Sequence, residues 1–167
     1  MKRIISILLC VAMLAVSVVG MASCGKGEKS YIFTTGGAQG TYYGFTNVVA
    51  NTLTTAIDGA TFTAVTSGGS KVNIEALDDG DAQFAIVQND VMINAYNGKS
   101  NFEGKAIKSF SVIGAVYPEV CQIIASKDLG IKSAYDLKGK RVSIGAQGSG
   151  VVTNATQILE KHGISRI

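Results

Sequence analysis

The chain has 167 residues, 47% of them hydrophobic and 16% charged, with 20 Gly, 1 Pro, 3 Cys, 1 His and a formal charge of +3. That length gives one domain or about one and a half. The apolar share excludes a disordered chain, the Cys count a disulfide-dense scaffold and the small charge a nucleic-acid partner, while a single His excludes a His-rich metal centre and leaves few catalytic schemes.

Met1-Lys2-Arg3 supplies two cations, and Ile4 to Val19 is an uncharged run of sixteen residues. A basic start, an apolar run and small residues before a cut are the marks of an export signal, and the run is short of the roughly twenty residues that span a bilayer. Met21-Ala22-Ser23-Cys24 resembles a bacterial lipobox. The resemblance implies removal of residues 1–23 and diacylation of Cys24, and two acyl chains hold a protein to a membrane. Residues 24–30 then form a polar tether. Without Lys2 and Arg3, 13 cations face 12 acids, so the basic balance belongs largely to the signal. Cys121, in an apolar stretch, is expected to be a buried strand residue, since a free Cys behaves as a small hydrophobe.

Beyond the tether the pattern alternates. Tyr31 to Thr35 predicts a strand, and Thr41 to Ile57 a helix with an apolar stripe at Tyr42, Phe45, Val48, Val49, Leu53 and Ile57. Thr61 to Val65 predicts a strand, Ser70 to Leu77 a helix, Ala82 to Val87 a strand and Asp90 to Tyr96 a short helix. Asn97 to Lys108 is polar and reads as a surface loop. Phe110 to Val116, Val120 to Ala125 and Arg141 to Ile144 predict further strands, Ser133 to Leu137 a helical turn, and Val151 to His162 a last helix with Gly163 beyond it. Strands separated by helices of this length predict an α/β fold on a mostly parallel sheet. The one proline, Pro118, marks a boundary between a first unit over 31–116 and a second over 117–167.

Four segments share one design, a strand end, then glycine or small polar residues, then a helix start: residues 34–41, 66–70, 88–90 and the loop Gly145-Ala-Gln-Gly-Ser-Gly150. In open α/β sheets ligands bind at the carboxyl ends of strands, where helix N-termini offer unpaired N–H groups that suit an anion. Each loop alone also reads as a tight turn with an N-cap, for which Ser, Thr, Asp and Gly are favoured in any case. Other chemistry is poorly served. Gly145-x-x-Gly148-x-Gly150 is not the dinucleotide fingerprint, and there is no phosphate loop of the NTPase kind, no Cys-x-x-Cys and no His pair. His162 suits a helix end, and Asp78, Asp79 and Asp81 suit a solvated helix stop. No nucleophile, base and orienting group can be assembled, so neither an enzyme nor a cofactor is expected.

The segments TTGGAQGTYYGFTNVVA, TSGGSKVNIEALDDGDAQFAIVQNDV and AVYPEVCQIIASKDLGIKSAYDLKGKRVSIGAQGSG resemble the TAXI family, the solute-binding proteins of tripartite ATP-independent periplasmic (TRAP) transporters. The shorter stretch DLKGKRVSIG also resembles binding proteins of ABC transporters for sulfonates and thiamine-precursor-like ligands. The TAXI resemblance implies a two-lobed type II periplasmic-binding fold that closes over a small carboxylate such as glutamate, glutamine or a dicarboxylate. It implies, too, a chain about twice as long, so the second lobe is expected to be incomplete. The contacts it implies in the first lobe are Gly37, Thr41, Tyr42, Ser67, Gly68, Ser70, Gln88 and Asn89. Tyr117 and Glu119 fall at the crossing between lobes, where Glu119 reads equally as a hinge or surface residue. Gln147, Gly148 and Ser149 face them from the second lobe. The implied partners are a small anionic solute, the membrane subunits of a TRAP transporter, and the membrane itself through the lipid at Cys24.

Overall fold

A computed structural model describes residues 27–165. The export signal and the lipidation site at Cys24 lie outside the described residues. Three parallel strands form the sheet: β1 (Lys29–Thr34), β2 (Ala60–Val65) and β3 (Phe84–Ala85), in the order β2-β1-β3. Lys29 pairs with Ala60 and Thr34 with Val65 on one side of β1, and Phe33 pairs with Phe84 on the other. Gln83 N–H donates to Ile32 C=O and Ile86 N–H to Thr34 C=O, which prolongs the short third strand. Parallel neighbours need a crossover, usually a helix. Here α1 (Thr41–Ala56) joins β1 to β2, and α2 (Ser70–Asp79) carries the chain past β1 to β3. Beyond β3 come α3 (Asn89–Asn97) and, much later, α4 (Gly150–Lys161).

Two apolar clusters hold this unit. Alternate residues of the strands, Tyr31, Phe33, Ala60, Phe62, Ala64 and Phe84, meet Ala50 and Leu53 of α1. The rings of Phe33 and Phe84 stack at 4.5 Å and those of Tyr31 and Phe62 at 4.9 Å. Burying one such ring contributes roughly 2–3 kcal/mol. The second cluster joins Ile74 of α2 to Val91 and Ala95 of α3, and adds Phe102 and Ile107. The polar stretch 97–108 is therefore not a plain surface loop. Its short 3₁₀ turn, Ser100–Phe102, seats Phe102, and Ile107 N–H donates to Ala95 C=O at 2.9 Å. Two apolar anchors outweigh the polar residues around them.

The apolar stripe of α1 is only partly buried. Thr46 and Ala50 form its buried line, while Phe45 and Val48 are exposed. Three predicted strands, 110–116, 120–125 and 141–144, do not form among the described residues. β-Propensity measures a fit to neighbouring strands, and a strand without a partner leaves its backbone groups unpaired. No backbone–backbone hydrogen bond among the described residues involves 110–125, and Ile113 and Ile124 are 86% and 88% exposed. Cys121 shares that stretch and is an exposed free thiol, not a buried strand residue. Arg141 likewise begins no strand. The predicted turn at 133–137 is present as the 3₁₀ segment Ala134–Leu137, closed by a capping box between Ser133 and Asp136. No helix among the described residues is long and apolar enough to cross a membrane.

Candidate functional site

Because all three strands run the same way, the loops after them lie at one edge of the sheet. The strand order places that edge at a reversal: the chain leaves β1 toward β2, then returns to the far side for β3. Ligands of open α/β sheets sit outside the carboxyl ends of strands at such a switch point. The loop after β1 leads into α1, and the loop after β3 leads into α3.

The start of α1 is the most open donor set there. Its N-cap, Gly40, offers no side chain, and its first turn holds no acid. The N–H groups of Thr41, Tyr42 and Tyr43 find no acceptor among the described residues. Helix geometry leaves such groups for solvent or an anion, and the helix dipole favours the anion. Thr41 is exposed, as is Gly37, whose carbonyl closes a turn to Gly40 N–H at 2.8 Å.

Tyr42 is half-buried, and its hydroxyl donates to Glu119 Oε2 at 2.7 Å across 77 residues of chain. Burial, first, and then the Glu119 carboxylate push the Tyr42 phenol far above its ordinary value. The phenol therefore stays protonated and holds the carboxylate as an acceptor. The Tyr117 ring stands edge-on to Tyr42 at 6.3 Å. Its hydroxyl is shut off from solvent with no partner among the described residues, and burial followed by the Glu119 charge raises its pKa. Tyr42, Gln88, Asn89, Tyr117 and Glu119 all border one broad open space, together with Asp90 and Asn154.

The other predicted residues are placed differently. Ser67 and Ser70 belong to a hydrogen-bonded frame that ties the strand ends together. Asn73, 0% exposed, donates to Thr35 C=O and to Ile86 C=O at 2.8 Å, and accepts from the Ser67 hydroxyl. Ser67 Oγ also takes the Gly69 N–H at 3.0 Å, and Ser70 Oγ takes the Gln88 N–H at 3.0 Å. Asn89 spends its side chain on the neighbouring Asp90 N–H. The loops 67–70 and 145–150 rest directly on one another. Gly148 C=O accepts from Lys71 N–H at 3.0 Å, so a backbone oxygen already occupies the N-terminus of α2. Gly69, at φ 106°, makes that approach possible, since a Cβ there would lie 3.0 Å from Ser149 Cα. Gly68 likewise faces the Gln147 carbonyl. Ser149 is the N-cap of α4, its hydroxyl accepting from Val152 N–H at 3.2 Å.

Asn73, Thr35 and Asn154 were not picked out by sequence reasoning. Asn154 accepts from Gln88 Nε2 at 3.0 Å and donates to Asp90 Oδ2 at 2.7 Å, so it joins α4 to the start of α3. Asn101 Nδ2 adds a bond to Thr153 Oγ1 at 3.0 Å. A polar residue on the inward stripe of a helix was the available signal, and Asn73 sits beside Ile74 on such a stripe.

A family model covers residues 33–167, most of the chain. The chain belongs to the NMT1-like family. Members of the NMT1-like family are periplasmic solute-binding proteins related to the binding proteins of ABC and TRAP transporters. The mixed α/β architecture with a small parallel sheet is compatible with such a fold. Membership assigns this chain an extracytoplasmic solute-binding role in company with a transporter.

Proposed function

We propose that this NMT1-like protein is a binding receptor of the TAXI type. In this reading it is exported, held to the membrane by diacylated Cys24, captures a small carboxylate and delivers it to TRAP-type membrane subunits. It performs no reaction. Its ligand lies between the unit over 31–116 and the unit beginning at 117, under a type II closure.

The observation that carries this reading is the open start of α1. Three successive N–H groups stand without acceptors among the described residues at the carboxyl end of the central strand, beside a strand-order reversal. A carboxylate there would gain hydrogen bonds strengthened by its charge. Tyr42, Gln88, Tyr117 and Glu119 would surround the rest of the molecule. The loops 67–70 and 145–149 would serve by their mutual contact, which brings the second unit to the first.

Calorimetric titration of the whole protein with amino acids and dicarboxylates tests the reading. Binding of at least one is expected, and Thr41→Ala should weaken it by about 1 kcal/mol, the worth of one hydrogen bond. Absence of heat with every member of both classes would reject the ligand class. A second reading, delivery to an ABC transporter of a sulfonate or thiamine-precursor-like ligand, is favoured by the stretch Asp136-Leu-Lys-Gly-Lys-Arg-Val-Ser-Ile-Gly145. A neighbouring ATPase gene would support it, and neighbouring membrane-protein genes without an ATPase would support the TRAP reading.

A further inference from the structure

The small net charge hides a division. Residues 31–116 carry 4 cations against 7 acids, and residues 117–167 carry 7 cations against 4 acids. Most of that second excess gathers at one place. The segment 126–141 holds two tight turns, Lys127–Leu129 and Ala134–Leu137. Lys132 N–H donates to Asp136 Oδ2 at 2.9 Å, Lys138 N–H to Tyr135 C=O at 3.3 Å and Lys140 N–H to Leu137 C=O at 3.0 Å. The backbone thus fixes these three lysines around one knot. The Tyr135 ring stands edge-on to His162 at 4.8 Å, which brings Lys161, at the end of α4, to the same knot. Lys127, Lys132, Lys138, Lys140, Arg141 and Lys161 are all exposed, and none forms an ion pair among the described residues. Three acids lie among them, Asp128, Asp136 and Glu160, and Asp136 already accepts from three donors. Leu129 and Tyr135 stand out from the same turns, 56% and 67% exposed.

We propose that this basic end of the second unit is a membrane-facing surface, which lies on anionic phospholipid headgroups and turns the acidic sheet unit away from them. Unpaired cations are drawn to anionic headgroups, a tyrosine ring sits at headgroup level, and an aliphatic side chain enters the acyl boundary. Five of the six cations are Lys, point charges on flexible stems, which suit mobile headgroups better than acceptors fixed in one register. Each cation near such a surface strengthens association by roughly fivefold, so a net excess of three gives roughly a hundredfold. That is enough to set the orientation of a protein already delivered to a membrane. The surface is separate from the proposed solute site and needs no ligand.

The test mixes the whole protein with vesicles of phosphatidylcholine, alone or with phosphatidylglycerol. Flotation reports binding, and an amine-acylating reagent read by mass spectrometry reports which lysines are covered. On the anionic vesicles Lys132, Lys138, Lys140 and Lys161 should label about fivefold or more slowly than in the vesicle-free protein. Lys99 and Lys108, exposed on the sheet unit, should keep their rates. Salt at about 0.5 M should erase the protection, and phosphatidylcholine alone should give none. Lys138→Glu with Lys140→Glu should bring Lys132 and Lys161 back to within about twofold of their free rates, and Lys161→Glu, read at Lys132, is the milder variant. Failure to float with the anionic vesicles, or equal labelling on both vesicles, overturns the inference and leaves an acidic protein face as the partner to seek. Protection that persists at high salt, or in the folded charge-reversed protein, overturns it too. Solute titration is a separate readout, so the receptor reading stands or falls on its own.

Discussion

Asn73 is the residue whose loss should damage the site's foundation most. Its amide ties together the ends of β1 and β3 through Thr35 C=O and Ile86 C=O, and its oxygen receives the Ser67 hydroxyl. The residue is fully buried, so no water stands ready to replace it. Asn73→Ala removes three hydrogen bonds at about 1 kcal/mol each and strands the Ile86 carbonyl, so the loss should be about 3 kcal/mol or more. A domain of this size has about 5–15 kcal/mol in hand, and each kcal/mol moves the melting temperature by about 2–4 °C. Urea unfolding should therefore show a lower midpoint at unchanged slope, and melting should fall by about 6–12 °C. Asn73→Asp is the sharper probe. It keeps the shape but turns two donors into acceptors that face two carbonyls, and should be at least as harmful as Ala. An Asp variant as stable as the parent, or an Ala variant down by less than about 1 kcal/mol, would refute the argument that this amide closes the frame.

Gly148→Ala should destabilise by about 1–2 kcal/mol in urea, since φ there is 85° and a Cβ would stand 2.9 Å from Val72 Cγ2; an unchanged midpoint would mean that loop 145–150 can move off α2 freely. Acid should weaken the protein through Asp136 and Asp78. The backbone N–H groups of Lys132 and Ser133 and the Ser133 hydroxyl hold Asp136 below the usual carboxylate range, and the Ser109 hydroxyl and then Lys105 do so for Asp78. Both favour the folded state above the ordinary value of about 4, and that help is lost as pH falls through the lowered folded values. Asp136→Asn should accordingly flatten the acid limb of a stability–pH curve, and an unaltered limb would count against the capping box. Cys24→Ala should release the protein from membranes in cell fractionation, and membrane association persisting without acylation would favour an uncleaved apolar anchor.

Helices were the legible part of this chain. The predicted spans 41–57, 70–77, 90–96 and 151–162 lie within two residues of the observed bounds at each end, because capping and 3.6-residue periodicity are written locally. The phase of α1 was less legible. The predicted stripe included Phe45 and Val48, but packing against β2 chose Thr46 and Ala50 as the buried line. Strands depend on partners far away in sequence, and so 110–116, 120–125 and 141–144 carry strand composition without ladders among the described residues. Phe102 and Ile107 were hidden by their polar neighbours. Of the candidate site, residue types at strand ends marked the carboxyl edge of the sheet, where the loops into α1 and α3 lie. They could not separate groups that border open space, such as Tyr42 and Glu119, from groups absorbed into the frame, such as Ser67 and Ser70.

The attachment of α4 differs in kind from that of the sheet unit. Ring stacking and apolar clusters bind β1, β2, β3 and the helices beside them. By contrast, α4 meets the start of α3 through the Asn154 amide and the 3₁₀ turn 100–102 through the Asn101 amide, and the loop before it meets the start of α2 through the Gly148 carbonyl. Polar seams of this sort contribute little net free energy, because water competes for each bond. The molecule should thus come apart in tiers. Amides of 150–161 would exchange with solvent through a sub-global opening that leaves β1 and β2 protected, and a protease would find Gly145–Gly150 before it finds the sheet. A segment held in this way separates at a free-energy cost well below that of opening the sheet.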